Sequence, residues 1–243
     1  MQFQKAISTI FCGLAFLLEG APPLMAASFT VTPVRVEFSH QHLHATLQVT
    51  NNGDEAVTIQ LHPVQWILKG NQETEHETDD LIFNPPVFII LPNQSQAIRV
   101  GVRQYTALDA EQTYRLILEE VPSASGAGVQ GLHTVLRISI PLFVKSGSPA
   151  AAKLSWILSR SPDGMMLSVE NHGNAHIQIR RITLSSPDGT NPIAVQSGSE
   201  YVLAGGHKEW IVKDVPPHDQ GGLLMQAITD GNPANEVLTL HNP

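Results

Sequence analysis

Leu132-His133-Thr134-Val135-Leu136-Arg137-Ile138-Ser139-Ile140-Pro141-Leu142-Phe143-Val144-Lys145 alternates with a period of two. Leu132, Leu136, Ile138, Ile140, Leu142 and Val144 occupy the even positions, whereas Arg137, Ser139 and Lys145 fall on the odd ones. That is the signature of an extended strand with one apolar face. The run is long for a strand and contains a proline, so it is expected to be an edge strand reaching beyond its own sheet. A long apolar edge recruits other chains through its open backbone groups, and natural proteins blunt such edges unless recruitment is their purpose. We read recruitment as the purpose here.

Outward from this stretch the chain keeps the same grammar. Short alternating runs lie at Phe29 to Phe38, Leu43 to Thr50, Val57 to Leu68, Ser95 to Val102 and Thr113 to Val121, punctuated by Gly, Asn, Asp and Pro. Leu81 to Leu91 is interrupted by Asn84-Pro85-Pro86, so it is expected as an edge or broken strand with room for a cis X-Pro bond. The acidic segment Lys69 to Asp80 reads as a solvated hairpin loop, and Ser123 to Gly131 as a flexible turn. About seven strands in about 120 residues point to an immunoglobulin-like sandwich. Past the linker Ser146-Gly147-Ser148-Pro149 the pattern resumes with Ala152 to Leu158, Met165 to Glu170, His176 to Leu184, Ile193 to Gln196, Glu200 to Asp214, Gly222 to Thr229 and Glu236 to Leu240. The expectation is all-β: two β-sandwich domains, residues 28–147 and 148–243, without a sequence repeat strong enough to mark a duplication.

Residues 1–27 have a basic start, an apolar run from Ile7 to Leu18 and the small residues Ala26-Ala27-Ser28, which read as a secretory signal. The competing reading is a buried or membrane-lying helix, and the run is short for a bilayer span. The single cysteine, Cys12, lies inside this segment, so the exported chain would have no disulfide. A net charge of −8 with only 15% charged residues argues against nucleic acid as a partner. No nucleophile elbow, catalytic cysteine, phosphate loop or zinc-protease helix occurs, so no enzyme and no cofactor are expected. His40, His42 and His44 alternate and would share one side of an extended chain, but the same pattern suits a solvated turn, and no metal is assigned. Arg35 sits within the first strand between Val34 and Val36, Arg115 follows Tyr114 at the head of an apolar strand, and Lys145 closes the long one. Each suits a solvent-facing position, but beside a recruiting edge such a cation can take the terminal carboxylate of an incoming chain, worth about 1.5–3 kcal/mol.

Several stretches together resemble a known family: Thr32-Pro33-Val34-Arg35-Val36, Pro85-Pro86, Gln96 to Val100, Tyr114 to Pro122 and Ser139 to Val144. They look like those of the periplasmic pilus-assembly chaperones of the chaperone–usher pathway, the PapD-like proteins. The resemblance implies two immunoglobulin-like domains in a boomerang. It implies a non-covalent function in which Leu132, Leu136, Ile138 and Ile140 fill the groove of an incomplete pilus subunit before delivery to an outer-membrane usher. Self-association of the free chain is left open. Arg99, Glu111 and Asp230 match positions of a structural ion network between the domains. The better-known members pair the first-strand arginine with a lysine where this chain has Pro141. The Tyr-Arg-Leu-Ile-Leu and Ser-Ile-Pro-Leu-Phe-Val stretches resemble instead the archaic, spore-coat-protein-U type. That likeness favours Arg115 as subunit carboxylate anchor, then Arg35, then Lys145. The other readings are an exported structural pilin or adhesin and, resting only on His40, His42 and His44, a metal-binding or hydrolytic protein.

Overall fold

A computed structural model describes residues 29–69, 72–122, 135–215 and 222–241. The expected signal segment, the turn from Ser123 to Gly131 and Leu132 lie outside them. β1 (Phe29–Thr32) and β2 (Val36–Phe38) correspond to the expected first strand, but they belong to different sheets. Pro33, which has no N–H to give a ladder, stands at the change, after a cis Thr32-Pro33 bond, and Val34 is 73% exposed at the corner.

The chain continues with β3 (His44–Asn51), β4 (Val57–Lys69), β5 (Gln72–Glu77), β6 (Leu81–Asn84), β7 (Val87–Ile90), β8 (Ser95–Val102), β9 (Gln112–Val121) and β10 (Arg137–Val144). One sheet has the order β1-β3-β8-β6; the other has β2-β10-β9-β4-β5, with β7 also on β4. The break at Asn84-Pro85-Pro86 is present, with a cis Asn84-Pro85 bond, and it sends β6 to one sheet and β7 to the other. The acidic segment is not a loop. β5 pairs with β4 from Lys69↔Gln72 to Val64↔Glu77. Its alternation was invisible because an edge strand exposed on both sides needs no apolar face.

Between the sheets lie Phe38, Leu47, Val49, Ile59, Ile98, Leu116, Leu118, Ile140 and Leu142. The second unit comprises β11 (Leu154–Ser161), β12 (Gly164–Asn171), β13 (Ile177–Ser185), β14 (Ile193–Val202), β15 (His207–Val212), β16 (Leu223–Thr229), β17 (Ala234–Leu238) and β18 (Leu240–His241). Its sheets are β15-β12-β11-β18 and β14-β13-β16-β17, enclosing a separate core of Leu158, Leu167, Val169, Ile179, Leu184, Leu223 and Met225. The expected strand from Glu200 to Asp214 is divided by the turn Leu203–Gly206, where Gly205 takes φ 70°, so β14 and β15 lie in opposite sheets.

One device recurs in both sandwiches. Asn51 and Asn171 each close a strand with a fully buried amide. Asn51 Nδ2 donates to the carbonyls of Glu55 (2.7 Å) and Ile90 (3.0 Å), and its Oδ1 accepts from Gly53 N–H. Asn171 Nδ2 donates to Ala175 O (2.8 Å) and Leu203 O (3.1 Å), and its Oδ1 accepts from Gly173 N–H. The same Asn-x-Gly spacing thus pins equivalent turns.

Candidate functional site

β10 is paired to β9 along its whole length, from Arg137↔Glu119 to Val144↔Gln112. On its other side β2 runs parallel to it over Leu142 to Val144 only. Among the described residues Arg137 to Pro141 therefore present an unpaired edge, narrower than the fully open strand the alternation predicts. Leu136 and Ile138 are half-buried against the core, whereas Ile140 is 2% exposed. In the chain alone Ile140 is thus an anchor of β10, and Leu136 and Ile138 pack against the same core but stay partly exposed.

The opposite face of β10 looks at the second sandwich. Phe143 is fully buried there with Trp66 and Leu203, flanked by Leu68 and Tyr201. His176 stacks on Phe143 with ring centroids 3.5 Å apart. Pro141 lies on this face, level with Arg115 on β9. On the other side, one residue back from the Val36↔Leu142 pairing, Arg35 comes level with Pro141 as well. Pro141 is therefore bracketed by two arginines, about two strand spacings, or about 10 Å, apart at the backbone.

Each cation already has a carboxylate. Arg35 donates to Asp230 Oδ2 of the second sandwich (2.5 Å) and lies 3.3 Å from Glu37, which also takes Lys145 Nζ (2.9 Å). Partial burial pulls the Arg35 pKa down, but the hydrogen bond to Asp230 and the charges of Glu37 and Asp230 outweigh it and hold it above the ordinary value. For Glu37 burial works upward, and the hydrogen bond and charge of Lys145, with Arg35, win and keep its carboxyl below the usual range. Arg115 lies over the Trp66 ring, 3.7 Å from the centroid, and donates to Glu75 at 2.5 Å.

Glu111 and Asp230 both reach the domain boundary; Arg99 does not. Glu111 Oε2 accepts from the backbone N–H of His176 (2.9 Å) and sits 2.6 Å from its Nδ1, in a pair whose side chains are 2% and 8% exposed. Asp230 takes Arg35 where Arg99 was expected. Arg99 is on β8, in the sheet that does not carry Trp66 and Phe143, and with His44, Thr46, Ile82 and Asn84 it lines a shallow cavity of about 570 Å³. His40, His42 and His44 do not lie on one extended run, which their alternation requires. A backbone bridge between Ser39 and His42 turns the chain, His40 meets the edge of Tyr105, and His44 stands over Gly101. Among the described residues no group of three His, Cys, Asp or Glu side chains could hold a metal.

Sequence reasoning missed Trp66, His176 and Lys208 as members of this face. Trp66 has the opposite parity to Val57, Ile59 and Leu61, so the sequence did carry a signal that it leaves the core face of its strand. His176 and Lys208 sit in polar surroundings, and only the packing of one sandwich on the other gives them partners.

A family model described as pili and flagellar-assembly chaperone, PapD N-terminal domain, matches residues 28–150. No curated protein matches the chain. Among solved structures, a chain of the CsuC–CsuE chaperone–tip adhesion subunit pre-assembly complex from the archaic chaperone–usher Csu pili of Acinetobacter baumannii is 18% identical with a TM-score of 0.63, covering 89% of this chain and 100% of that one. A chain of the Salmonella enterica SafA pilin–SafB chaperone complex is 20% identical with a TM-score of 0.63, covering 88% and 100%. The CupB2 chaperone of Pseudomonas aeruginosa is 20% identical with a TM-score of 0.58, covering 86% and 100%. At these identities the likeness is one of fold: two immunoglobulin-like sandwiches in one chain.

Proposed function

Because the chain belongs to the pili and flagellar-assembly chaperones, we propose that it binds an incomplete pilus or fimbrial subunit in the periplasm, lends it the open edge of β10, and delivers it to an outer-membrane usher. The observation that carries this reading is the unpaired run Arg137 to Pro141 beside Arg115 and Arg35. An extended guest segment can add to such an edge by main-chain hydrogen bonds, while apolar side chains give register and specificity. Leu136 and Ile138 are the teeth nearest the edge, Leu132 extends the series, and Ile140 locks the strand to its own core. Each tooth buried in a subunit groove contributes about 1.5–3 kcal/mol before ordering costs.

Residues 1–27 serve in this reading as the export signal, 28–147 as the subunit-binding domain and 148–243 as the second wall of the cleft. The mechanism is binding without covalent chemistry. Among the cations Arg115 is the first anchor for the subunit's terminal carboxylate and Arg35 the second. Lys145 comes third, because Glu37 already holds it beyond the level of Pro141. Glu111 with His176, and Asp230 with Arg35, tie the domains at the angle the cleft requires. Similar chains support the partner class, since CsuC is found with the tip subunit CsuE and SafB with the SafA pilin.

The test is recovery of a partner from the periplasm. The protein should bring down a fimbrial subunit in a one-to-one soluble complex and be absent from assembled fibres. Arg115→Glu should abolish that recovery while leaving the free protein folded. A protein found as a repeating component of the fibre would refute the chaperone reading, and undiminished recovery with Arg115→Glu would remove Arg115 from the anchor.

A further inference from the structure

The carboxylates on Arg115 form part of a larger arrangement. Glu73 and Glu75 lie on one face of β5, two residues apart. Glu75 takes one Arg115 nitrogen. One oxygen of Glu73 accepts the Trp66 indole N–H at 2.9 Å, with the second Arg115 nitrogen 3.8 Å away. Its other oxygen lies 2.7 Å from Nζ of Lys208 on β15, in the second sandwich. Trp66 is 1% exposed, so packing fixes the direction of its N–H. The Glu73 carboxylate thus sits among three donors drawn from three strands and both domains.

Resting on the reading of Arg115 as anchor, we infer that this is the complete carboxylate site, with Arg115, Lys208 and the Trp66 N–H as its donors, and that Glu73 and Glu75 are resident stand-ins displaced by the subunit's terminal carboxylate. The free chain needs such stand-ins, because partly buried cations without counter-charges are costly. β5 is suited to release them. It is an edge strand paired only with β4, and the two glutamate side chains are 24% and 32% exposed. Displacement has two consequences. A ligand must outcompete two carboxylates, so an acidic segment out of register with the β10 edge is rejected. Departure of Glu73 also breaks a bond between the domains, which couples capture of the carboxylate to the hairpin and to the domain angle.

The probe is the C-terminal strand of the subunit recovered by co-purification, synthesised as free acid and as amide. The unmodified protein should bind the acid more tightly than the amide. Combined Glu73→Gln and Glu75→Gln should tighten the acid about tenfold and leave the amide unchanged. Lys208→Ala should weaken the acid about tenfold, again without effect on the amide. In the unmodified protein, binding of the acid should speed hydrogen exchange at residues 72–77, a readout that needs no variant to fold. Equal affinity for acid and amide, an unaltered affinity in the double variant at an unchanged melting temperature, or unchanged exchange at 72–77 would each overturn the inference while leaving the chaperone reading intact. Failure to recover any subunit would overturn both.

Discussion

Pro141 occupies a position where a cation would be hard to keep. Arg35 and Arg115 flank it, and it is buried. Pro141→Lys should therefore destabilise the protein by about 2–4 kcal/mol, measured as a lower urea midpoint. An unchanged midpoint would mean that the neighbouring carboxylates absorb a third charge. Glu37 makes a second prediction. Its carboxyl is pushed up by burial but held below its ordinary value by Lys145 and Arg35, so its contribution is complete above the unfolded pKa and is lost as pH falls through the folded one. Arg35, held above its ordinary value, stays charged and contributes evenly across that window. Thermal melts of wild type and Glu37→Gln should differ at neutral pH and converge as pH falls through and below the ordinary carboxylate range. Neither role of the arginines was legible locally, because alternation marks a residue as outward without saying whether water or another domain lies outside.

Within β10 two neighbouring teeth should separate stability from binding. Ile140→Ala opens a cavity in a closed core and should cost about 2–5 kcal/mol in chemical denaturation. Ile138→Ala, half-buried at the open edge, should cost about 1 kcal/mol or less but reduce the yield of subunit complex in co-purification. Equal effects on both measurements would show that the strand is not divided in this way. The alternation of β10 was plain in the sequence because one of its faces is uniformly apolar. β5 was not, since Glu73, Thr74, Glu75, His76 and Glu77 offer no apolar face. Its order is explained by β4 alongside and by cations from β9 and β15.

At the scale of the whole molecule, two sandwiches with separate cores meet through the small cluster of Trp66, Phe143 and Leu203, with ion pairs around it. Phe143 is the shared piece, stacked on His176 and tilted against Tyr201. Phe143→Ala should remove about 3–5 kcal/mol of this contact, and calorimetry should then resolve two transitions where the wild type melts as one. A single unshifted transition would show that the ion pairs alone couple the domains. The Asn-x-Gly clamps give the two halves one turn device in common, with a buried asparagine amide pinning each. What the sequence by itself determined is the β class, the break at Asn84-Pro85-Pro86 and the apolar register of β10, because alternation and proline act within a few residues. Its count of about seven strands fell short of the ten that form among the described residues, since prolines divide two of them between sheets and β5 has no apolar face. Only the tertiary structure decided which part of β10 stays open, that Arg35 and Arg115 stand level across Pro141, and that Glu73, Lys208 and Trp66 share one site. Those facts depend on sheet order and on one domain resting against another, contacts between residues so far apart in the chain that no local pattern records them.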